Sequence, residues 1–456
     1  MAETIDVVVI GMGPGGEDVA GRLAQAGLAV VGVDRRLLGG ECPYYGCIPS
    51  KMIIRGSNAL AEGRRVSILA GHAAVQPDFA PVAKRIRDEA TDNWDDQAAV
   101  ARFEGKGGRF IRGHGRLTGP GSVTVTVTGS GERIELIARR AVVLNTGTDP
   151  AVPPVPGLAD SPYWTNRDIL TVEKAPESLI VLGGGAIGCE LAQAFARFGT
   201  HVRVVGSAPR LLNYEEPESS ALIEAAFAED GIEVHNNANV TSVDYGDGFT
   251  LHFDGGEVEA QHLLVATGRR GTLDQLGLDT IGLDPKARSL DVDEHLRVAD
   301  GVWAVGDITG KGAFTHMSMY QAAIAVRDIL GEPGHGAEYH AVPRVTFTDP
   351  EVGSVGMTEA QARDRGMNVR VGTAEIPNSS RGFIHKLGNT GLIKLIEDAD
   401  RGVLVGATSA GPTGGEVLSA LVVAVHAEVP TERLRQLIYA YPTFHRAIEA
   451  AVNDLS

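Results

Sequence analysis

One pattern occurs twice in this chain, an apolar run broken by a glycine cluster, then a helical stretch, then a second apolar run. Residues 5–34 read Ile5-Asp-Val-Val-Val-Ile-Gly11-Met-Gly13-Pro-Gly15-Gly16, then Ala20 to Leu28, then Ala29-Val-Val-Gly-Val-Asp34. Residues 179–206 read Leu179-Ile-Val-Leu-Gly183-Gly-Gly185-Ala186-Ile187-Gly188, then Glu190 to Phe198, then His201-Val-Arg-Val-Val205-Gly206. Apolar runs this short are strands buried on both faces, as a parallel sheet requires. In such a βαβ unit the first glycine makes the tight turn and the second lets the backbone approach a pyrophosphate. The third lets the helix pack on the strand. The helix N-terminus then offers free N–H groups to the phosphates. A single glycine turn without a ligand is an ordinary loop. Two copies in strand–turn–helix context predict a duplicated dinucleotide-binding unit.

The two units differ where the second strand ends. Asp34 supplies a carboxylate for an adenosine ribose, whereas the matching position in the second unit is Gly206, followed by Ser207 and Arg210. Loss of the carboxylate with gain of a hydroxyl and a guanidinium suits a 2′-phosphate and favours NADPH over NADH. A solvated loop charge at Arg210 is the competing reading.

At 456 residues the chain is too long for one core, and about two to four domains are expected. From about Tyr339 the pattern turns to alternating runs such as Val345-Thr-Phe-Thr and Thr390-Gly-Leu-Ile-Lys-Leu-Ile. Helices are expected near Thr358–Arg365 and Gly415–Ala427. Pro153, Pro154, Pro156 and Gly157 mark a linker before the second unit. A formal charge of −17 argues against nucleic acid and anionic membrane as partners. No apolar run is long enough to span a bilayer, and the N-terminus reads as a buried strand. Three cysteines do not make a disulfide scaffold, so a reducing, cytoplasmic setting is expected.

Two of those cysteines are close together, in Gly39-Gly40-Glu-Cys42-Pro-Tyr-Tyr-Gly-Cys47-Ile-Pro-Ser-Lys51. Thiols at this spacing, with a helix starting near Pro49, can close into a disulfide, and a helix N-terminus favours the reactive thiolate. No second cysteine pair and no suitably spaced histidine supports a metal site. A buried structural pair is the remaining alternative. Cys189 reads as a small packing residue.

With these motifs the chain resembles the flavoprotein disulfide reductases, the class I pyridine nucleotide-disulfide oxidoreductases that include dihydrolipoamide dehydrogenase, glutathione reductase and mercuric reductase. The resemblance extends to Thr146-Gly147, Ala266-Thr-Gly268-Arg269, Val305-Gly306-Asp307 and Phe347-Thr-Asp-Pro-Glu-Val-Gly353, and so covers essentially the whole chain. It implies an α/β fold with two Rossmann-like domains, for FAD and NAD(P), followed by an α+β dimerisation domain. The expected boundaries are 1–148 and 270–338 for FAD, 149–269 for NAD(P) and 339–456 for dimerisation. It further implies a homodimer with shared active sites that acts on a small-molecule acceptor.

By the same resemblance Cys47 is the thiol nearest the flavin and Cys42 the one that meets the acceptor. Lys51 and Glu190 form an ion pair beside the flavin, and Asp307 binds the ribityl chain. The candidate cofactor-binding residues are then Gly11, Gly13, Gly15, Gly16, Asp34, Arg35, Gly40, Lys51 and Gly115 in the first part of the chain. Further along they are Thr146, Gly147, Gly183, Gly185, Ala186, Ile187, Gly188, Glu190, Ser207, Arg210, Gly268, Arg269, Gly306 and Asp307.

The family's terminal motif, His-Pro-Thr-x-x-Glu, provides the acid–base histidine for thiol exchange. Here it reads Tyr441-Pro-Thr-Phe-His445-Arg446, with tyrosine for histidine and arginine for glutamate. A phenol of pKa about 10 is a poor base near neutrality. If Pro442 opens a helix, Tyr441, His445 and Glu449 share a face, and a displaced dyad is one reading, a solvated or interface histidine the other. No cysteine follows Cys189, so the C-terminal thiol pair of mercuric reductases is missing. The expected activity is NAD(P)H-dependent reduction, through FAD and Cys42–Cys47, of an unidentified acceptor: a disulfide, a quinone or another electrophile. The alternatives are carbon–sulfur cleavage and carboxylation, as in ketopropyl-coenzyme M carboxylase, and a dihydrolipoamide dehydrogenase-like reaction using a displaced base.

Overall fold

The computed structural model describes residues 2–456 and divides the chain into two compact units. The first gathers the chain up to Ser50 with Lys84–Ala151 and Arg269–Tyr339; the second gathers Lys51–Ala83, Val152–Gly268 and His340–Ser456.

The first unit is built on a seven-stranded sheet. Its central strand Glu3–Ile10 pairs in parallel with Val30–Asp34 on one side and with Arg133–Leu144 on the other. Val30–Asp34 pairs in parallel with Arg109–Gly119, and Val302–Ala304 joins Arg133–Leu144, also in parallel. The run Val7, Val8, Val9 is fully buried because both faces of the strand are covered. One face packs under the helices Pro14–Gln25 and Thr315–Leu330, with Leu23, Phe103 and Ala325 in that core. The other holds Val8, Leu117 and Leu144.

The second unit contains the second βαβ motif. Ser178–Leu182 lies between His201–Val205 and His262–Val265, all parallel, and Glu233–His235 extends the sheet beyond His201–Val205. The alternating terminal region forms a five-stranded antiparallel sheet in the order Pro343–Thr346, Glu351–Gly356, Val403–Gly411, Leu392–Asp398, Val369–Glu375. The expected helices appear as Glu359–Asp364 and Gly414–His426. The fold class is the one expected: mixed α/β with two dinucleotide-type sheets and a terminal α+β region. No helix among the described residues is long and apolar enough to cross a membrane.

Inside the second unit one helix face grips a turn of the terminal region. Gln193 accepts from Asp349 N at 2.7 Å and donates to Asp349 O at 2.8 Å. Arg197, 4% exposed, bonds Asp230 at 3.0 Å, Asp349 at 2.9 Å and Asn58 at 2.9 Å. Removing one member of a buried ionic set leaves its partners uncompensated. Arg197→Ala is expected to destabilise the unit by about 3–5 kcal/mol, whereas Arg203→Ala, which breaks a more exposed pair with Glu233, is expected to cost about 0–1 kcal/mol. Urea unfolding of the two variants side by side checks the contrast.

Candidate functional site

The first glycine loop is closed from behind by backbone. Gly11 has φ of 95°, and a Cβ on it would lie 2.3 Å from Asn145 O. A Cβ on Gly40 would lie 2.8 Å from Gly13 Cα, and one on Gly15 would lie 2.1 Å from Ser318 Oγ, so these positions are glycine for reasons of space. Asp34 ends its strand with Oδ2 accepting from Met12 N at 2.7 Å and Oδ1 from Arg36 N at 2.8 Å. Burial raises its pKa above the ordinary carboxylate value, against the pull of those two N–H groups. Gly11, Asp34, Arg35, Gly115 and Thr146 line one cleft. Arg35 is tied at 2.7 Å to Asp149. Thr146 Oγ1 is buried with no hydrogen-bond partner among the described residues, and a buried hydroxyl of this kind calls for a ligand or water.

Beyond Gly147, with φ of 61°, Thr148 Oγ1 donates to Asp307 Oδ2 at 2.6 Å. Arg269 donates to Thr148 Oγ1 at 2.8 Å and to Thr148 O at 2.5 Å, and lies 3.4 Å from Glu41. Gly306 N donates to Gln321 Oε1 at 2.7 Å and so fixes the backbone that presents Asp307.

The cysteine pair stands in the same unit. Cys42 lies in the short helix Glu41–Tyr45, and Cys47 is the first residue of the helix Cys47–Leu69, two residues earlier than the expected start near Pro49. Both are free thiols. The Cys42 thiol is pushed strongly up, first by its hydrogen bond to Cys47 and then by burial. Cys47 stands at the start of its helix, where the free N–H groups and the dipole favour a thiolate over a thiol. Thr315 Oγ1, opening the helix Thr315–Leu330, lies 3.4 Å from Cys47 Sγ. Between the thiols, Tyr44 is buried and its phenol is raised to about 12 by burial, with Asp96 adding to the effect.

Lys51 follows Cys47 by one helical turn. Within the second unit its Nζ is 2.7 Å from Glu190 Oε2 and 4.6 Å from the centre of the Phe347 ring. The other Glu190 oxygen accepts from Phe347 N at 2.9 Å. One buried carboxylate thus orients both a cation and an aromatic ring.

The second glycine loop repeats the first: Gly183 has φ of 118°, and a Cβ on it would lie 2.4 Å from Ala266 O. Gly185 precedes the helix Ala186–Arg197, which Ala186 opens, with Ile187 exposed and Gly188 buried in its first turn. Gly268 has φ of 115°. Ser207 is exposed. Arg210, read either as a contact for a 2′-phosphate or as a solvated loop charge, is bonded within its own loop. It donates to Ser220 Oγ at 2.7 Å, Glu215 O at 3.0 Å and Asn213 O at 3.1 Å, because the loop after residue 206 leaves carbonyls that need a donor. Cys189 is fully buried, its thiol donating to Gly184 O at 3.4 Å, as a packing residue would be.

The terminal motif differs from the helix expected to begin at Pro442. Thr443 is extended, with φ of −136°, so the first helical turn is Phe444–Arg446 and the helix Ala447–Asn453 follows. Glu449 pairs with Arg446 at 2.8 Å. His445 instead lies 3.4 Å from Thr443 Oγ1, and the His445–Glu449 dyad does not form, because a full cation three residues away takes the carboxylate. Arg446 also donates to Tyr439 O at 3.0 Å and lies 5.6 Å from the ring centre of Tyr441, which is 68% exposed.

Asn145, Ser318, Thr148 and Thr315 lie beside the first glycine loop, Asp307 or Cys47 but outside the sequence motifs. Only Asn145 carried a signal, a polar residue ending the apolar run that leads into Thr146-Gly147.

A family model described as pyridine nucleotide-disulphide oxidoreductase matches residues 5–326, and one described as its dimerisation domain matches residues 342–452. The chain belongs to the pyridine nucleotide-disulfide oxidoreductases. A mercuric reductase of Acidithiobacillus ferrooxidans is 32% identical over 463 residues, covering 100% of this chain and 83% of the relative. A dihydrolipoyl dehydrogenase of Chlorobaculum tepidum is 32% identical over 465 residues, covering 100% and 97%. Among solved structures, LpdA from Mycobacterium tuberculosis superposes with a TM-score of 0.87 at 26% identity, covering 98% of this chain and 99% of that one. The HOCl-induced flavoprotein disulfide reductase RclA from Escherichia coli superposes with a TM-score of 0.82 at 27% identity, covering 99% of both.

This member of the family is accordingly an NAD(P)H-dependent flavoprotein oxidoreductase that uses FAD. The glycine loop and the orphaned Thr146 hydroxyl fit a dinucleotide in the first unit. In the holoenzyme, two-electron reduction is expected to produce long-wavelength absorbance from a thiolate stacked on the flavin. Cys47→Ser should abolish this band, and its persistence in that variant would show that Cys47 is not the thiol at the ring.

Proposed function

We propose that this enzyme passes electrons from NADPH through FAD to the Cys42–Cys47 pair, and that Cys42 delivers them to an acceptor that needs little assisted proton transfer, such as a quinone or another small electrophile. Bound FAD supplies the two-electron relay between nicotinamide and disulfide. Residues 1–148 and 270–338 hold it, 149–269 hold the nicotinamide nucleotide, and 339–456 pair two copies into a homodimer with shared active sites in a reducing, cytoplasmic setting. The chain's own groups define the rest. Asp34 holds the first loop through Met12 N, Asp307 is steadied by Thr148, and Glu190 fixes Lys51 as a stationary cation. The Cys42 thiol, raised by its hydrogen bond to Cys47 and by burial, is the member of the pair assigned to the acceptor.

The observation that carries this reading is the terminal motif. Tyr441 is exposed and stacked by Arg446, whose guanidinium is bonded to Tyr439 O and Glu449. No imidazole–carboxylate dyad is assembled at Tyr441–Glu449 to shuttle protons during thiol exchange. A positioned acid–base group contributes roughly 10²–10⁴-fold. Thiol appearance after NADPH mixing, followed by stopped flow, should therefore outpace steady-state turnover of lipoamide- or glutathione-type disulfides by a factor of that order, roughly 10²–10⁴. Quinones should turn over faster than these disulfides. Disulfide turnover at the speed of thiol appearance would refute the reading and require His445 as base, which His445→Ala would then have to abolish.

The preference for NADPH is supported by Gly206, which leaves no carboxylate to repel a 2′-phosphate at the end of its strand, with exposed Ser207 beside it. NADPH is expected to give the higher kcat/KM. Because Arg210 ties its own loop together, Arg210→Ala should weaken use of both nucleotides, and equal kcat/KM values in wild type would sink the preference.

A further inference from the structure

The helix Ala80–Arg85 runs into a wider turn, Ile86–Ala90, and then ends in an unusual way. Asp92, Asn93 and Trp94 have successive φ values of 47°, 55° and 58°, and none of them is glycine. A left-handed backbone is a steric outlier for a side chain as bulky as tryptophan and persists only where surrounding contacts over-determine it. Those contacts are present. Thr91 is buried and donates through Oγ1 to Ile86 O at 3.0 Å, Asn93 N donates to Arg87 O at 2.7 Å, and Trp94 N reaches Thr91 Oγ1 at 3.4 Å.

The turn directs two side chains onto the segment that carries Cys42. Trp94 Nε1 donates to Tyr44 O at 3.2 Å. Asp96, buried, accepts from Leu38 N at 2.5 Å and is clamped by Arg112 Nη2, 2.7 Å from each carboxylate oxygen. Leu38 and Tyr44 stand on either side of Cys42, so the segment is held at two points. The Tyr44 carbonyl belongs to the last turn of a five-residue helix, where carbonyls lack partners within the helix.

We infer that Trp94 is a positioning residue for the redox pair, its indole N–H fixing the backbone between the thiols so that Cys42 faces Cys47. A disulfide closes only over a narrow range of Cα and Cβ separations. Loosening Tyr44 lets Cys42 leave that range and shifts the equilibrium towards the open dithiol. The couple is a two-electron one: the disulfide takes two electrons and two protons to give two thiols. The inference rests on Cys42 and Cys47 being the redox pair.

The test is the midpoint potential of that pair in FAD-loaded enzyme, read by alkylating free thiols across a dithiothreitol redox buffer. Trp94→Phe keeps an aromatic ring at this half-buried position and removes the N–H. A net hydrogen bond of ordinary strength corresponds to roughly three- to tenfold in the closing equilibrium, which at about 30 mV per tenfold makes the variant less reducing by about 15–30 mV. Trp94→His puts a ring nitrogen back at the position of the indole Nε1 and is expected to recover part of the shift. Asp92→Gly, which eases the backbone without touching the indole, is expected to leave the midpoint at the wild-type value. An unchanged midpoint in Trp94→Phe, or equal shifts in the Phe and His variants, would overturn the inference. Absence of any dithiol–disulfide couple in wild type would instead overturn the reading of the pair itself.

Discussion

Both nucleotide loops depend on one steric constraint: the helix after each loop rests on a backbone carbonyl with no room for a side chain between. A Cβ on Gly16 would lie 2.0 Å from Gly11 O, and one on Gly188 would lie 2.0 Å from Gly183 O. This approach turns the first N–H groups of each helix towards the space where a pyrophosphate binds. It also sets where the rest of each helix can reach. In the second unit the helix Ala186–Arg197 presents Glu190, Gln193 and Arg197 towards residues 347–349, and Glu190 alone holds Lys51 and Phe347 N. A glycine at 188 is thus linked to the orientation of the Lys51 cation.

Much of this was legible in the amino-acid sequence, because strand burial and glycine spacing are local properties. The apolar runs at 5–10 and 179–182 had to be strands of a parallel sheet, and the alternation after residue 343 had to be antiparallel. What escaped depends on which partner wins a given group. Arg210 looked available, but unpaired loop carbonyls bind it. His445 and Glu449 had helical spacing, but an extended Thr443 delays the helix and Arg446 takes the carboxylate. The left-handed turn at residues 92–94 contains no glycine to announce it, and the bond from Trp94 to Tyr44 O spans 50 residues.

The proposed function joins an electron entry at Cys42 and Cys47 to an altered exit at the terminal motif. On the entry side, Cys47 sits at a helix start beside Thr315 and within hydrogen-bond reach of Cys42, Trp94 bonds the Tyr44 carbonyl between the thiols, and buried Asp96 holds Leu38 ahead of them. On the proposed exit side, the terminal motif presents the exposed Tyr441 phenol and the paired Arg446 guanidinium. Under the proposed function, selection at the exit rests on the acceptor's own demand for protons.

The central claim is that the Cys42–Cys47 disulfide receives the electrons. The direct measurement is mass-spectrometric mapping of alkylated cysteines in oxidised holoenzyme, before and after one equivalent of NADPH under anaerobic conditions. The account predicts that Cys42 and Cys47 are unlabelled before reduction and labelled after it, while buried Cys189 stays unlabelled throughout. Bleaching of the flavin with no new label on either Cys42 or Cys47 would contradict it.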